Sequence, residues 1–531
     1  ILDYGSAGKY YEECYQLFVN KLGEKNYKIA NYLYHQLGNI YSRSGDFARA
    51  ENLLRRGIEY GINNNCPEVG HYGDLAIVYL DMGKNAEALE VCRQGLKVPK
   101  APEKTLITTR LSESQALLNM GNKKEALAAL NQVIPLVNRL EDEPERAYYL
   151  SGYYAMLAAI QESMGNTKAA LENFQKTIRY EIISEGTSFC REVGKAHCEL
   201  GDFYVRQKKT SEALLEYRLA LQSVLKDFKP VDDIQNPSSA LFYAENTIIE
   251  ALLGKARAFR SLNQLEKALE CYELIPIVET KLRATHAYES SKLLALDESR
   301  HRFDEAISIA WQLYESSNGK RQYADRAFRL TEQARGMLLL QSLSQAQANF
   351  KLPENIRRRE TDLSTKLGWY DLQIKAEEAA GKEGDAARLV QLKKEQFDLT
   401  QENEKFKSEL RRDFAEYAAL SDEIHFLESG EVSALLRTGQ AMFDYYLTDT
   451  DVFIFSFDET GRFLWRKAAL PANFRESMVT FVEYLQKGDE EDKSGEKMFR
   501  SMAWELYQLL LEPEIQRMTP AVGSLIIVPD D

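Results

Sequence analysis

The stretch LGNIYSRSGDFARAENLLRRG, from Leu37 to Gly57, decides the reading of this chain. Gly38 and Ala50 are small where two antiparallel helices must approach closely, and Leu37, Tyr41 and Leu54 are bulky where the groove between them must be filled. Gly45 ends the first helix. The spacing predicts a helix-turn-helix unit.

The unit recurs. With the alanine of each second helix as a ruler, the register falls on Ala50, Ala88, Ala126, Ala170, Ala213, Ala268 and Ala306, with gaps of 38, 38, 44, 43, 55 and 38 residues. Twelve residues before the first six of these stand Gly38, Ala76, Ser114, Ala158, Gly201 and Ala256, all small. Four residues after them stand Leu54, Cys92, Leu130, Phe174, Tyr217 and Tyr272, which fall on the same helical face. The pattern is similar to the tetratricopeptide repeat, whose common unit is about 34 residues. The inter-helix turn carries Gly45, Gly83, Gly121 and Gly165, then Lys208, Asn263 and His301, so the repeat decays along the chain. In a seventh unit Leu294 replaces the small residue, as expected of a terminal repeat. Residues 1 to 30 fit the second helix of an earlier unit, with Tyr11, Cys14, Leu17 and Phe18 on one face.

A chain of 531 residues is too long for one core. The expectation is therefore an α-solenoid over 1–318, a connecting helix over 319–350, an antiparallel helical hairpin over 351–420 and an α/β region over 421–531. The hairpin opens at Pro353, reverses at Gly381 to Gly384, and places Asp385 as N-cap of its return helix. On that return Leu392, Leu399 and Phe406 repeat every seven residues, and Leu410, Phe414 and Tyr417 continue the face. The arm reads as a spacer. Beyond Gly430, AMFDYYL (Ala441–Leu447), VFIFSF (Val452–Phe457) and RFLWRKA (Arg462–Ala468) read as an antiparallel meander. Helical segments over Phe474–Leu485 and Phe499–Leu511 follow, then a buried-type strand, Leu525 to Val528. The chain begins at Ile1 and stops at Asp531, and both ends are expected to be cuts within larger elements.

The order of these parts resembles the bacterial TPR-CHAT proteins, in which a caspase-like, separase-like peptidase domain follows the repeats. The likeness is carried by the repeats, by Glu332 and Arg335 ahead of Leu338-Leu339-Leu340, by the hairpin, by Tyr445-Tyr446 with Val452 to Phe455, and by Leu525 to Asp530. Asp531 stands where the family usually has glycine. The resemblance implies a mostly α protein ending in the N-terminal part of a CHAT domain, and a cysteine endopeptidase whose thiolate and histidine work as a dyad. The last histidine here is His425 and the last cysteine Cys271, so no position of 1–531 matches either family residue and no catalytic residue is carried over. The alternative is a catalytically inactive scaffold or adaptor. Some members of the family work beside RNA-guided effectors, which implies a larger regulatory complex.

Net charge is −14, which argues against non-specific nucleic-acid or anionic-membrane binding. No apolar run approaches the roughly 20 residues of a membrane span, and no secretory leader is seen. The six cysteines are scattered without a CxxC pair, and the expected compartment is the reducing cytoplasm. Cys190, His197 and Cys198 form the one local cluster, but its spacing is not that of a zinc site. Phosphate-loop motifs are missing, so neither cofactor nor metal is expected. The binding candidate is the concave face of the repeats, lined by His35, Asn39, Asp74, Glu199 and Asp202. The two-carboxylate clamp of chaperone-binding repeats needs Lys, Asn, Asn, Lys and Arg; the matching positions here hold His35, Asn39, Asp74, Thr108 and Ser112. A protein or peptide partner of basic character is expected instead.

Overall fold

A computed structural model describes residues 10–11, 14–15, 17, 27–64, 70–99, 101–283, 289–380, 385–414, 417, 426–487, 493–517 and 522–530. Phe18, the reversal at 381–384, His425 and Asp531 lie outside the described residues. By internal contacts the chain divides into two compact units, residues 1–298 with 348–418, and residues 299–347 with 419–531.

The first unit is built on six helix pairs among the described residues. They are α1 (Tyr27–Arg43) with α2 (Phe47–Asn63), α3 (Gly70–Asp81) with α4 (Asn85–Gly95), and α5 (Glu103–Asn119) with α6 (Lys123–Leu130), after which comes a short α7 (Val133–Val137). Then α8 (Glu143–Ser163) pairs with α9 (Thr167–Glu185), α10 (Arg191–Arg206) with α11 (Thr210–Val224), and α12 (Asn246–Ser261) with α13 (Leu265–Arg283). The ruler alanines of all six pairs are fully buried. Their small partners explain why: a Cβ on Gly38 would sit 2.7 Å from the Leu54 side chain, and the Ser114 hydroxyl donates to the Ala126 carbonyl at 2.9 Å. Tyr217 goes further. Its ring is fully buried, and a Cβ would meet it at 2.7 Å from Gly201 and at 2.2 Å from Gly254, so one tyrosine fills the space that two glycines leave in neighbouring pairs.

Each turn is closed the same way. Gly45, Gly83, Gly121 and Gly165 have φ between +71° and +83°, and the next residue's N–H reaches back to the last helical turn, as Asp46 does to Tyr41 at 2.9 Å. Lys208 and Asn263 hold the same left-handed conformation at φ +58° and +57° without being glycine. The decay seen in the sequence is thus in composition and not in backbone geometry. The seventh unit is a correction: the expected turn at His301 does not form, and Leu294 to Ala306 lie on one continuous helix, α14 (Glu289–Ser316). Around His301 no residue adopts the left-handed conformation, and the break comes instead at Asn318 and Gly319, with φ +59° and +77°.

The long gap before Ala268 is an insertion, Leu225 to Glu245, held by the buried Lys255, whose ammonium donates to the carbonyls of Ile234 (3.2 Å) and Gln235 (2.7 Å). The hairpin helices are α16 (Glu354–Ala380) and α17 (Ala386–Asp413), and Asp385 caps the second by accepting from the amides of Ala387 and Arg388, each at 3.0 Å. The spacer reading is corrected. Phe397 is fully buried in the core of the first repeats against Tyr15, Asn52 donates to the Lys393 carbonyl at 2.6 Å, and Arg56 pairs with Asp398 at 2.7 Å. Phe397 is off the seven-residue stripe because it faces the solenoid and not the partner helix.

In the second unit, α14 and α15 (Arg321–Phe350) are followed by α18 (Ser429–Leu435), β1 (Gln440–Leu447), β2 (Asp451–Asp458) and β3 (Phe463–Ala469). Next come α19 (Phe474–Lys487), α20 (Lys493–Leu506), a π-turn over Tyr507–Leu511, α21 (Glu512–Arg517) and β4 (Ser524–Val528). The sheet order is β3-β2-β1-β4, antiparallel except that β4 runs parallel to β1. Period-two alternation divides the faces. Phe453, Phe455 and Trp465 meet Trp311 and Phe328 on one side, whereas Phe443, Tyr445 and Ile454 pack with Leu510 and Leu511 on the other. The buried Glu514 joins Arg466 to the Ser456 hydroxyl beneath that second face. The final strand is where expected but is not buried: among the described residues β4 has one neighbour, and Ile526 and Ile527 are 40% and 51% exposed.

Candidate functional site

Three of the five candidate residues meet. His35 and Asn39 stand one turn apart on α1, and both reach Asp74 on α3: His35 Nε2 lies 2.6 Å from Asp74 Oδ2, and Asn39 Nδ2 donates to the same oxygen at 3.0 Å. The His35 ring also packs edge-on against His71, which is fully buried because Gly57 leaves room for it. Asp74 is thereby committed to its own neighbours, and what it offers a ligand is a polar surface and not an open charge.

Glu199 and Asp202 stand apart from that trio on α10, on the exposed side of the helix. Asp202 accepts from Tyr217 Oη at 2.6 Å, and Arg206 one turn on is held by Glu162 at 2.7 and 2.8 Å. A cavity of about 230 Å³ opens here, lined by Gln115, Met156, Glu162, Glu199, Asp202 and Arg206 among others. Glu199 touches solvent yet is surrounded by the groove walls. That enclosure pushes its carboxyl up to about 7 against the pull of Lys195, with Glu250, Asp202 and Glu192 adding to the rise. Enclosure likewise lifts Glu181 to about 7 and Asp81 to about 6, the latter with Glu250 opposite and Lys195 and Arg191 opposing. Acids from α3, α9, α10 and α12 therefore form a chain of electrostatic neighbours, Asp81 to Glu250 to Glu199 to Glu181.

Pattern reading missed the contact that joins the first pair to the fifth and sixth. Arg43, at the end of α1, donates through Nη1 to Glu192 Oε1 at 2.9 Å, and its carbonyl accepts from Asn246 Nδ2 at 3.1 Å and from Arg191 Nη2 at 3.4 Å. Arg191 in turn pairs with Glu245 at 3.1 Å, both nearly buried, while Glu245 caps α12 through Thr247. Partners 148 to 203 residues apart leave no local signal. The one available hint is the adjacent Arg191-Glu192 at a first-helix start.

Cys92, Cys190, Cys198 and Cys271 are buried, whereas Cys14 is exposed; burial pushes the Cys92 thiol up to about 12 and the Cys271 thiol up to about 11. His197 lies 2.6 Å from Glu216, turned toward that carboxylate on α11. In the second unit, the residues that carried the family resemblance form two arginine clamps. Arg335 binds Asp444 Oδ1 at 2.5 Å, Glu332 at 3.2 Å and the Tyr445 carbonyl at 2.8 Å. Arg300 binds Asp530 at 2.5 Å and the Leu447 carbonyl at 2.6 Å, and Asp530 accepts from the Leu447 amide at 2.6 Å. Burial pushes the Asp444 carboxyl up to about 7, with Glu332 and Asp530 near it, although Arg335 pulls the other way. Beside the second clamp lies a cavity of about 940 Å³ lined by Tyr445, Phe474, Met478, Tyr507, Leu510 and Ile527 among others.

Residues 33–64, spanning α1 and α2, match the sequence model of the tetratricopeptide repeat family. No curated protein sequence matches the chain. Among solved structures it is similar to BtubC from P. vanneervenii, at TM-score 0.33 and 13% identity over 48% of this chain and 90% of that one. It is similar also to PilF of Pseudomonas aeruginosa, at TM-score 0.29 and 18% identity over 47% and 91%. A third is a signal-transduction ATPase with a tetratricopeptide repeat sensor from Pyrococcus horikoshii, at TM-score 0.36 and 16% identity; the match covers 62% of this chain and only 50% of that one. The repeat match and the helix geometry above define the fold as a tetratricopeptide-like helical solenoid. No helix among the described residues is long and apolar enough to cross a membrane.

Proposed function

We propose that the solenoid is the partner-holding arm of a CHAT-type, caspase-like cysteine endopeptidase of the bacterial cytoplasm, and that its partner is a protein segment of basic character bound on the concave face. In this reading 1–318 hold the partner, 319–350 connect, 351–420 brace the first repeats, and 421–531 begin the peptidase domain. The observation that carries the partner chemistry is the cluster of Asp81, Glu181, Glu199 and Glu250, whose carboxyls lie within electrostatic reach of other acids and are only partly offset by Lys195 and Arg191 of α10. A lysine or arginine placed there relieves that repulsion. The peptidase half of the reading is supported by the sequence resemblance, by the mixed sheet and by the clamps that Glu332, Arg335 and Asp530 make.

Fluorescence anisotropy with labelled lysine/alanine and glutamate/alanine peptides tests the first part. The basic peptide binds, with an affinity that falls as salt rises, and Glu199→Gln with Asp202→Asn weakens it. Equal binding of both peptides would sink the idea. The regulatory part is tested by comparing substrate cleavage by the full-length gene product with and without its bound partner; equal rates count against it.

A further inference from the structure

We propose that the Arg43–Glu192 contact is an autoinhibitory seam: it closes the solenoid groove on itself, and a partner segment enters only when the seam opens. The inference rests on the proposed partner-holding role and adds its regulation.

In a solenoid each repeat ordinarily touches only its neighbours, which is why such arrays present an open trough. Here the end of α1 in the first pair touches the starts of α10 and α12 in the fifth and sixth, through Arg43, Glu192, Arg191 and Asn246. The solenoid is consequently joined to itself at that point. Tyr148 on α8 lies within electrostatic reach of Arg43, Glu192, Asp74 and Glu181 together, so side chains from four helices besides its own converge on it. Asp74 and Glu192 of the seam thus share Tyr148 as a neighbour, and Glu199 has Glu192 near it on the same helix.

Two features make the seam a gate and not a fixed weld. The Arg43 and Glu192 side chains remain 33% and 23% exposed, so water competes for their ion pair and its net contribution is small. Closure also brings Asp81 of the second pair toward Glu250 of the sixth, which opposes it. The helix pairs themselves are held by packing around their buried alanines and do not depend on the seam. A basic segment is suited to occupy the opened groove, since it supplies a counter-charge to Glu199 and Glu250.

The test uses the whole chain and the labelled lysine/alanine peptide. Glu192→Arg sets like charges against Arg43, and the double variant Arg43→Glu/Glu192→Arg restores an opposed pair. Hydrogen exchange at the first amides of α10 and α12 reads the seam, and anisotropy reads the groove. Glu192→Arg is expected to speed exchange at both helix starts and to tighten peptide binding about tenfold, the factor for a groove open about a tenth of the time. Surface attraction alone predicts the reverse, because the variant removes negative charge. The double variant is expected to return both readings to the starting values. Unchanged exchange in Glu192→Arg, faster exchange without tighter binding, or no recovery in the double variant each overturns the gate. If no variant binds the peptide, the groove reading falls and the gate falls with it.

Discussion

Helices in the solenoid meet through steric fit, with glycine or alanine on one side and a leucine or tyrosine on the other, as in Gly38 against Leu54 and Gly254 against Tyr217. In the sheet unit, α14 and α15 meet β1 and β4 partly through charge, with Arg300 and Arg335 reaching buried aspartates and strand carbonyls. The two devices fail differently. A packed contact is broken by adding a methyl group, and it degrades by degrees. A buried ion pair is broken by removing one partner, which leaves the other charge stranded.

The largest effect is expected from Arg335→Ala, which strands Asp444 and should lower the unfolding free energy by about 3–5 kcal/mol in urea titration. The double change Arg335→Met/Asp444→Leu should recover most of it; if it does not, charge is not what joins α15 to the sheet. Overpacking comes next. Gly254→Ala drives a Cβ into the fixed Tyr217 ring, and Ala126→Leu overfills its pair, each costing about 1–3 kcal/mol. An unchanged melting temperature for Ala126→Leu would show that the repeat register is wrong. Smaller again is Asp385→Ala, which removes the cap of α17 and should cost about 1 kcal/mol, read as faster hydrogen exchange at the amides of Ala387 and Arg388.

The smallest effect is a pH dependence confined to the solenoid, because Asp81 and Glu199 are exposed and solvent screens most of their shift. Glu181, Glu199 and Asp81 titrate at about 7, 7 and 6, above the ordinary carboxylate range. The folded state therefore holds their protons more tightly than the unfolded chain. The stability they contribute is full below about pH 4 and is lost as pH rises through about 6 to 7. Melting temperatures between about pH 5 and 8 should fall slightly, and Glu199→Gln should flatten the slope; a midpoint that rises over that window contradicts the assignment.

The candidate residues were legible only in part. His35, Asn39 and Asp74 could be placed because repeat register puts them on the first helices, and they do come together. Glu199 and Asp202 were placed on the right helix, but the register did not reveal that Asp202 is bound to Tyr217 or that Glu199 faces other acids. The hairpin shows the same divide. Its cap at Asp385 was readable, whereas Phe397 was not, since its partner surface belongs to another part of the chain.

The sequence by itself determined the helix pairs and their register, because the size alternation from Gly38 to Ala268 is local and steric. It also determined the three-strand meander, whose aromatic runs and polar turns are local too. Only the tertiary structure decided that α14 runs straight through His301, that the hairpin docks on the first repeats, and that Arg43 reaches Glu192. Those outcomes depend on contacts between residues far apart in sequence, and a local pattern carries no record of superhelical pitch, which is what brings the first and fifth pairs together.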